Sequence, residues 1–249
     1  FNLGDFNHNE QTIRIVTFLE KKYYNFEGLN LTFETLEGLI KHNGPYLNNK
    51  KIFFSILEIN KQIPLELSNF PSVEGQVANI SDDIAYLTHD FDDGLREKLF
   101  TINQLKEIEI VDIIIIKIKK KFPDIQMDIL IHQLIRHLIS YFINDIVSTS
   151  QFIVNQNNFK SVDEVRNFSN YVIKLSPIAS KNMEEIRNFL FKNMYHNKAI
   201  LDKLTKASLM IERLFYLYKK DINLMPKQWR YLRGVSLSKL SEIDKARVI

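Results

Sequence analysis

The sequence predicts an all-α protein, and three observations carry that reading. Only seven glycines and six prolines occur in 249 residues, so turns are few. Leu, Ile, Lys, Glu and Asn recur throughout, which favours long helices over many short strands. In most segments the apolar residues return at the spacing of a helix face. The length suits one large domain, or a core with an appended subdomain.

The elements follow in order. Glu10 to Phe26 reads as a helix, because Ile13, Ile15, Val16 and Leu19 recur among polar residues and Gly28 then breaks the pattern. Thr32 is an N-cap for a second helix with Leu36, Leu39 and Ile40 on one side, closed by Asn43-Gly44-Pro45. Ile52 to Ile59 fits a short helix or a strand. Ser72 opens the clearest helix, from about Val73 to about His89, with Asp92-Asp93-Gly94 as a turn or a kinked extension. Further helices are expected over roughly 102–121, 125–150, 161–174, 179–196, 197–219 and 226–236. Ile113 to Ile116 also fits a buried strand, and Asn155 to Asn158 reads as a polar loop. No repeat period emerges. The chain reads as a single domain over 1–249 that leaves room for a helical subdomain over 150–249. It begins at Phe1 and stops at Ile249 within a charged helical pattern, and both ends read as cut.

Charge and composition exclude several classes. The net charge of +3 is too small to argue for nucleic acid by itself. With no cysteine there is no disulfide framework and no thiolate metal site. No apolar run approaches the roughly 20 residues of a membrane span, and no signal peptide opens the chain. A cytoplasmic location is expected.

The chemistry concentrates in Pro71 to Arg96. On a helix Asp82, Tyr86 and Asp90 follow at i, i+4 and i+8, drifting about 40° per step, so they stay on one face. Val77, Ile80, Ile84 and Leu87 supply an apolar side. Two carboxylates and a phenol on such a face are costly to bury without a partner, and a metal ion with a polar ligand would supply one. The bland alternative is a solvated helix face.

The wider pattern favours the first reading. Asp82-Asp83-Ile84-Ala85-Tyr86, followed by His89-Asp90 and Asp92-Asp93, resembles the signature of bacterial deoxyguanosinetriphosphate triphosphohydrolase-like enzymes of the HD-domain superfamily. So do Phe6-Asn7-His8-Asn9-Glu10-Gln11-Thr12, Gly28 to Thr32 with Leu36 to Pro45, and Ile186-Arg187 through Met194-Tyr195. The resemblance covers almost the whole chain. It implies an HD-type multi-helix bundle with an additional helical C-terminal portion. It also implies an enzyme that cleaves deoxynucleoside triphosphates, dGTP or several of them, to deoxynucleoside and inorganic triphosphate. The divalent cofactor it implies is Mg²⁺ or Mn²⁺, with a transition metal as a further option. A homo-oligomer is implied as well.

Residue by residue, the resemblance makes Asp82 the last metal ligand, while the first His and the His-Asp doublet are expected upstream of Phe1. His89-Asp90 falls inside the signature of the later Asp and is not that doublet. The fragment by itself is therefore expected to be inactive. Tyr86 and Asp90 match sugar-side positions: a ring under deoxyribose excludes a 2′-hydroxyl, and a carboxylate accepts from the 3′-hydroxyl. The plain alternative for Tyr86 is a core phenol. Arg187 matches a phosphate-facing cation and Tyr195 a residue near the sugar or base; on composition alone Arg187 is a surface residue. His8 matches a general acid, against a polar cluster at the start of a helix. His42 reads as a helix C-terminal residue, and His132 and His137 as structural or surface groups. Lys198 and His196 are weak additions to the pocket. Lys117 to Lys121 is a solvated helix end, and nucleic acid binding there has no support from interleaved aromatics. The alternative function is a non-catalytic nucleotide-binding or regulatory protein of the same fold.

Overall fold

A computed structural model of the protein describes residues 7–47, 52–232, 235–242 and 245–246. The chain divides into a larger compact unit, Asn7–Met194, and a smaller one that runs on from Tyr195. The larger unit is built from helices α1 (His8–Arg14), α2 (Phe33–Ile40), α3 (Phe54–Gln62), α4 (Val73–Arg96), α5 (Glu109–Lys121), α6 (Met127–Asn157), α7 (Val162–Arg166) and α8 (Pro177–Leu190).

The first three helices close a small core of Ile13, Leu36, Ile40, Ile56, Leu65 and Leu67. Asn7 caps α1 by accepting from the Glu10 N–H at 3.0 Å, and Thr32 caps α2 as expected. The first helix is shorter than its periodicity suggests. After one π-helical turn, Ile15–Leu19, the chain becomes extended at Glu20. The Val16 carbonyl is taken by the Leu29 N–H at 2.7 Å. Gly28, at φ +68°, lies so close to the Thr17 backbone that a Cβ would sit 2.3 Å from it. A returning strand of loop thus terminates the helix where local pattern would have continued it. Residues 54–62 settle as a helix, and Glu10 of α1 accepts from both the N–H and the hydroxyl of Ser55.

Helix α4 runs on through Asp92-Asp93-Gly94 to Arg96, so that segment is an extension and not a turn. Ser72 caps it at the Gly75 N–H. Ile84, Leu87, Phe91 and Leu95 are its buried stripe. The Phe100 ring lies where a Cβ on Gly94 would be. Helices α2 and α4 cross at Gly38 and Gly75, where the missing side chains allow close approach. The isoleucine run of α5 is helical: Val111, Ile114, Ile115 and Ile118 are buried at i, i+3, i+4 and i+7, which excludes the strand alternative. Helix α6 packs on both α4 and α5. It continues through Asn157 and stops at Asn158 in the left-handed region, φ 52°, so most of the expected polar loop is helical.

The expected helix over 161–174 is reduced to α7. After the Asn167 and Phe168 amides close α7 on backbone carbonyls, the chain over 171–176 gives several amide hydrogens to side chains instead. Gln76 Oε1 accepts from Val172 and Ile173 at 2.8 and 3.0 Å. Ser150 accepts from Lys174, and Asp145 accepts from Ser176. Buried polar acceptors on α4 and α6 therefore replace a helical ladder. Ser176 then caps α8, with Pro177 in its first turn.

In the smaller unit, α9 (Lys198–Lys220) is amphipathic, and every residue of it is at least partly exposed. The helix expected over 226–236 is instead a 3₁₀ turn, Lys227–Trp229, followed by a two-strand antiparallel ladder, β1 (Tyr231–Leu232) with β2 (Val235–Ser236). Arg230 shapes this turn by donating to the Met225 carbonyl at 2.6 Å. Among the described residues no helix is long and apolar enough to cross a membrane.

Candidate functional site

The larger unit holds a cavity of about 850 Å³ bounded by α1, α2, α4 and α7. His8 and Thr12 line it from α1, Thr35 and Leu39 from α2, and His42 from just beyond α2. Asn79 and Asp82 line it from α4 and Arg166 from α7. Two sequence-selected residues, His8 and Asp82, thus share one cavity. His8 is the first residue of α1, and its ring meets that of His42 edge-on at 5.9 Å. His42 Nδ1 donates to the Leu39 carbonyl at 2.8 Å, and Nε2 accepts from the Asn43 side-chain amide at 3.1 Å. A carbonyl can only accept, so the proton in the first of these bonds sits on Nδ1.

Below the cavity wall lies an ionic knot that sequence reasoning missed. Glu37 and Lys41 are fully buried, with side chains 0% exposed, and their contact is 3.0 Å. Arg166 reaches the same carboxylate from α7 through three hydrogen bonds of 2.9–3.1 Å. It also meets Asp163 and lies over the Phe33 ring at 5.3 Å. Burial lowers the Lys41 pKa, a shift that Glu37 opposes. The hydrogen bonds to Glu37 raise that of Arg166. One carboxylate therefore holds two cations, and through them joins α7 to α2. The signal was present in the sequence: an acid and a base at i, i+4 lie beside Leu36 and Ile40, both core residues.

Along α4, Tyr86 is 62% exposed, so it is not a core phenol. Asp90 is half-buried. Arg187, on α8, brings its guanidinium to Glu184 at 3.2 Å and to Asp83 at 4.0 Å. Asp83 is a second residue that the sequence reading passed over. Partial burial raises its pKa, the Arg187 charge opposes that rise, and neighbouring Asp82 adds to it. The Tyr171 phenol is raised by burial and then by the Asp83 charge. The structure thus brings Asp82, Tyr86, Asp90 and Arg187 to α4 and its α8 neighbour. Tyr195 belongs to the smaller unit.

The described residues contain no group of three His, Cys, Asp or Glu side chains arranged to hold a metal ion. Asp82 offers one carboxylate, which is too few ligands for a divalent cation.

Comparison with known proteins adds a partial family match and a set of relatives. Residues 173–249 match the phosphohydrolase-associated domain. The chain is 39% identical over 230 residues to a deoxyguanosinetriphosphate triphosphohydrolase-like protein of Bartonella quintana (strain Toulouse), covering 91% of this chain and 58% of that protein. This chain is homologous to the triphosphohydrolase-like proteins. Relatives of the same description from Rickettsia rickettsii (strain Iowa) and Rickettsia prowazekii (strain Madrid E) are each 36% identical over 244 residues, covering 98% of this chain and 62% of each relative. The chain therefore spans about three fifths of the length of the curated relatives it matches. Arg187 and Tyr195 fall within the phosphohydrolase-associated match, whereas His8, Asp82, Tyr86 and Asp90 precede it.

Proposed function

We propose that the protein hydrolyses deoxynucleoside triphosphates to deoxynucleoside and inorganic triphosphate. The observation that carries this reading is the open face of α4. Asp82, Tyr86 and Asp90 ascend it, and the Arg187 guanidinium stands beside it at Asp83. Tyr86 presents a flat apolar ring suited to the deoxyribose, where a 2′-hydroxyl would clash. Asp90 accepts from the 3′-hydroxyl. Arg187 offers a planar fork of donors to phosphate oxygens. His8, which lines the same cavity as Asp82, is the general acid of this reading. The names of the relatives support the reaction class.

Asp82 would contribute one ligand to a divalent ion, Mg²⁺ or Mn²⁺, whose role when bound is to polarise a phosphoryl oxygen. The other ligands have no source among the described residues. A homo-oligomeric assembly and a cytoplasmic setting belong to the same proposal.

The test is to incubate the full-length protein with each of the four deoxynucleoside triphosphates and Mg²⁺ or Mn²⁺. Inorganic triphosphate and free deoxynucleoside are expected, and Asp82→Ala should abolish them while leaving the fold intact. Full activity in that variant would remove Asp82 from the site. Nucleotide binding without product under either metal would establish a non-catalytic binding protein in place of the enzyme.

A further inference from the structure

We propose that Asp83 is a positioning residue whose carboxylate sets the Arg187 guanidinium against the α4 face that carries Tyr86 and Asp90. The inference rests on the reading of Arg187 as the cation that meets the substrate's phosphates.

Three observations lead to it. Asp83 stands three residues before Tyr86 and seven before Asp90, which puts it within about 60° and about 20° of them around the helix. Whatever Asp83 holds therefore sits over the sugar-side face. Arg187 has two anchors of different kinds. Glu184, at 3.2 Å, lies one turn earlier on the same helix and fixes only where the side chain hangs along α8. Asp83, at 4.0 Å, is the anchor on α4. An arginine carries five N–H donors, more than these two contacts use, so the anchored fork keeps donors for a phosphate oxygen. The third observation is exposure. The Arg187 and Asp83 side chains are 50% and 49% exposed, where solvent screening leaves an ion pair little value for stability. What such a contact can do is narrow the rotamers of a long side chain before the ligand arrives.

The experiment is a double-mutant cycle in the full-length protein with Asp83→Asn, Arg187→Ala and the combination. It is read as KM and kcat for a deoxynucleoside triphosphate, and as inhibition by inorganic triphosphate. Asp83→Asn should raise KM about fivefold and weaken triphosphate inhibition by a similar factor, with kcat changed less than about twofold. Asp83→Glu should recover much of that loss. In the Arg187→Ala background Asp83→Asn should add nothing. If Arg187→Ala raises KM while Asp83→Asn leaves it unchanged or lowers it, the positioning role falls and the phosphate role of Arg187 stands. Independent, multiplying effects also overturn the positioning role. If Arg187→Ala itself leaves KM and inhibition untouched, the underlying reading fails and Asp83 loses its role with it.

Discussion

Two arginine clusters in this molecule use the same groups under opposite conditions. Around Glu37, Lys41 and Arg166 the carboxylate and the ammonium are sealed from water, and Arg166 meets Glu37 through three hydrogen bonds. Around Arg187, Asp83 and Glu184 the side chains are half-open, and the contacts are 4.0 and 3.2 Å. In the first cluster both cations share the Glu37 carboxylate, so removing it leaves Lys41 poorly compensated in a poorly polarisable setting. In the second, water replaces whatever is lost. The dry cluster is architecture: it ties α7, a wall of the cavity, to α2. The wet cluster leaves guanidinium donors open, which is what the proposed phosphate contact of Arg187 requires.

The largest effect expected from this contrast follows Glu37→Gln. That change leaves Lys41 and Arg166 without their shared carboxylate, and urea denaturation should show a loss of about 3–5 kcal/mol. A loss below about 1 kcal/mol would mean that another group or water compensates the buried cations. Arg166→Met is expected to cost less, about 2 kcal/mol, because Glu37 keeps Lys41 and only the charge-assisted bonds to the guanidinium disappear. Hydrogen exchange should rise in α7, which the Arg166 side chain ties to Glu37 of α2.

Lys41 offers a sharper test through pH. Its folded pKa lies below the ordinary 10.5, with burial as the main cause. Between that lowered value and 10.5 the unfolded chain binds more protons than the folded one, so this contribution to stability grows as pH rises and is lost as pH falls through the folded value. At neutral pH the charged ammonium is a liability that Glu37 offsets. Lys41→Met is therefore expected to change neutral-pH stability by no more than about 1 kcal/mol, since Arg166 still satisfies Glu37. The stability advantage of the wild type over this variant should increase toward pH 10.5. Taking the difference removes Tyr46 and Tyr171, whose raised pKa values act in the opposite sense. An advantage that stays flat with pH would show that Lys41 is not desolvated.

The same contrast explains what the sequence disclosed. Helix α4 was readable because Val77, Ile80, Ile84 and Leu87 repeat behind a serine cap, and helical spacing then placed Asp82, Tyr86 and Asp90 on one face; the stripe it buries starts later, at Ile84, and Val77 is exposed. Ile113 to Ile116 is too short a run to decide between period 2 and period 3.6; Val111 and Ile118 decide it only once burial is known. The segments 20–26 and 167–174 were read as helical but leave the ladder: the Val16 carbonyl accepts from the Leu29 N–H just before the first, and Gln76 accepts from the amides of Val172 and Ile173 in the second. Such partners are distant in sequence and leave no periodic trace. Glu37 and Lys41 sit inside a segment already singled out by resemblance, yet the partner that completes their cluster is Arg166, 129 residues away from Glu37.

The smallest expected stability effect belongs to the wet cluster, and there the comparison is most exposed to failure. Asp83→Asn and Arg187→Ala remove contacts from half-exposed side chains, so each should shift unfolding by less than about 0.5 kcal/mol. Their consequence should be in substrate affinity. Arg166→Met should behave in reverse: its larger loss is in stability, and its effect on KM should be smaller than that of Arg187→Ala. The check is to measure stability and KM on the same preparations. If Arg187→Ala destabilises the fold as much as Arg166→Met does, then Arg187 is a packing residue, and the distinction between an architectural arginine and a ligand-facing one does not hold. If the two variants separate, one in stability and the other in KM, then solvent exposure is what assigns two chemically identical side chains to different tasks.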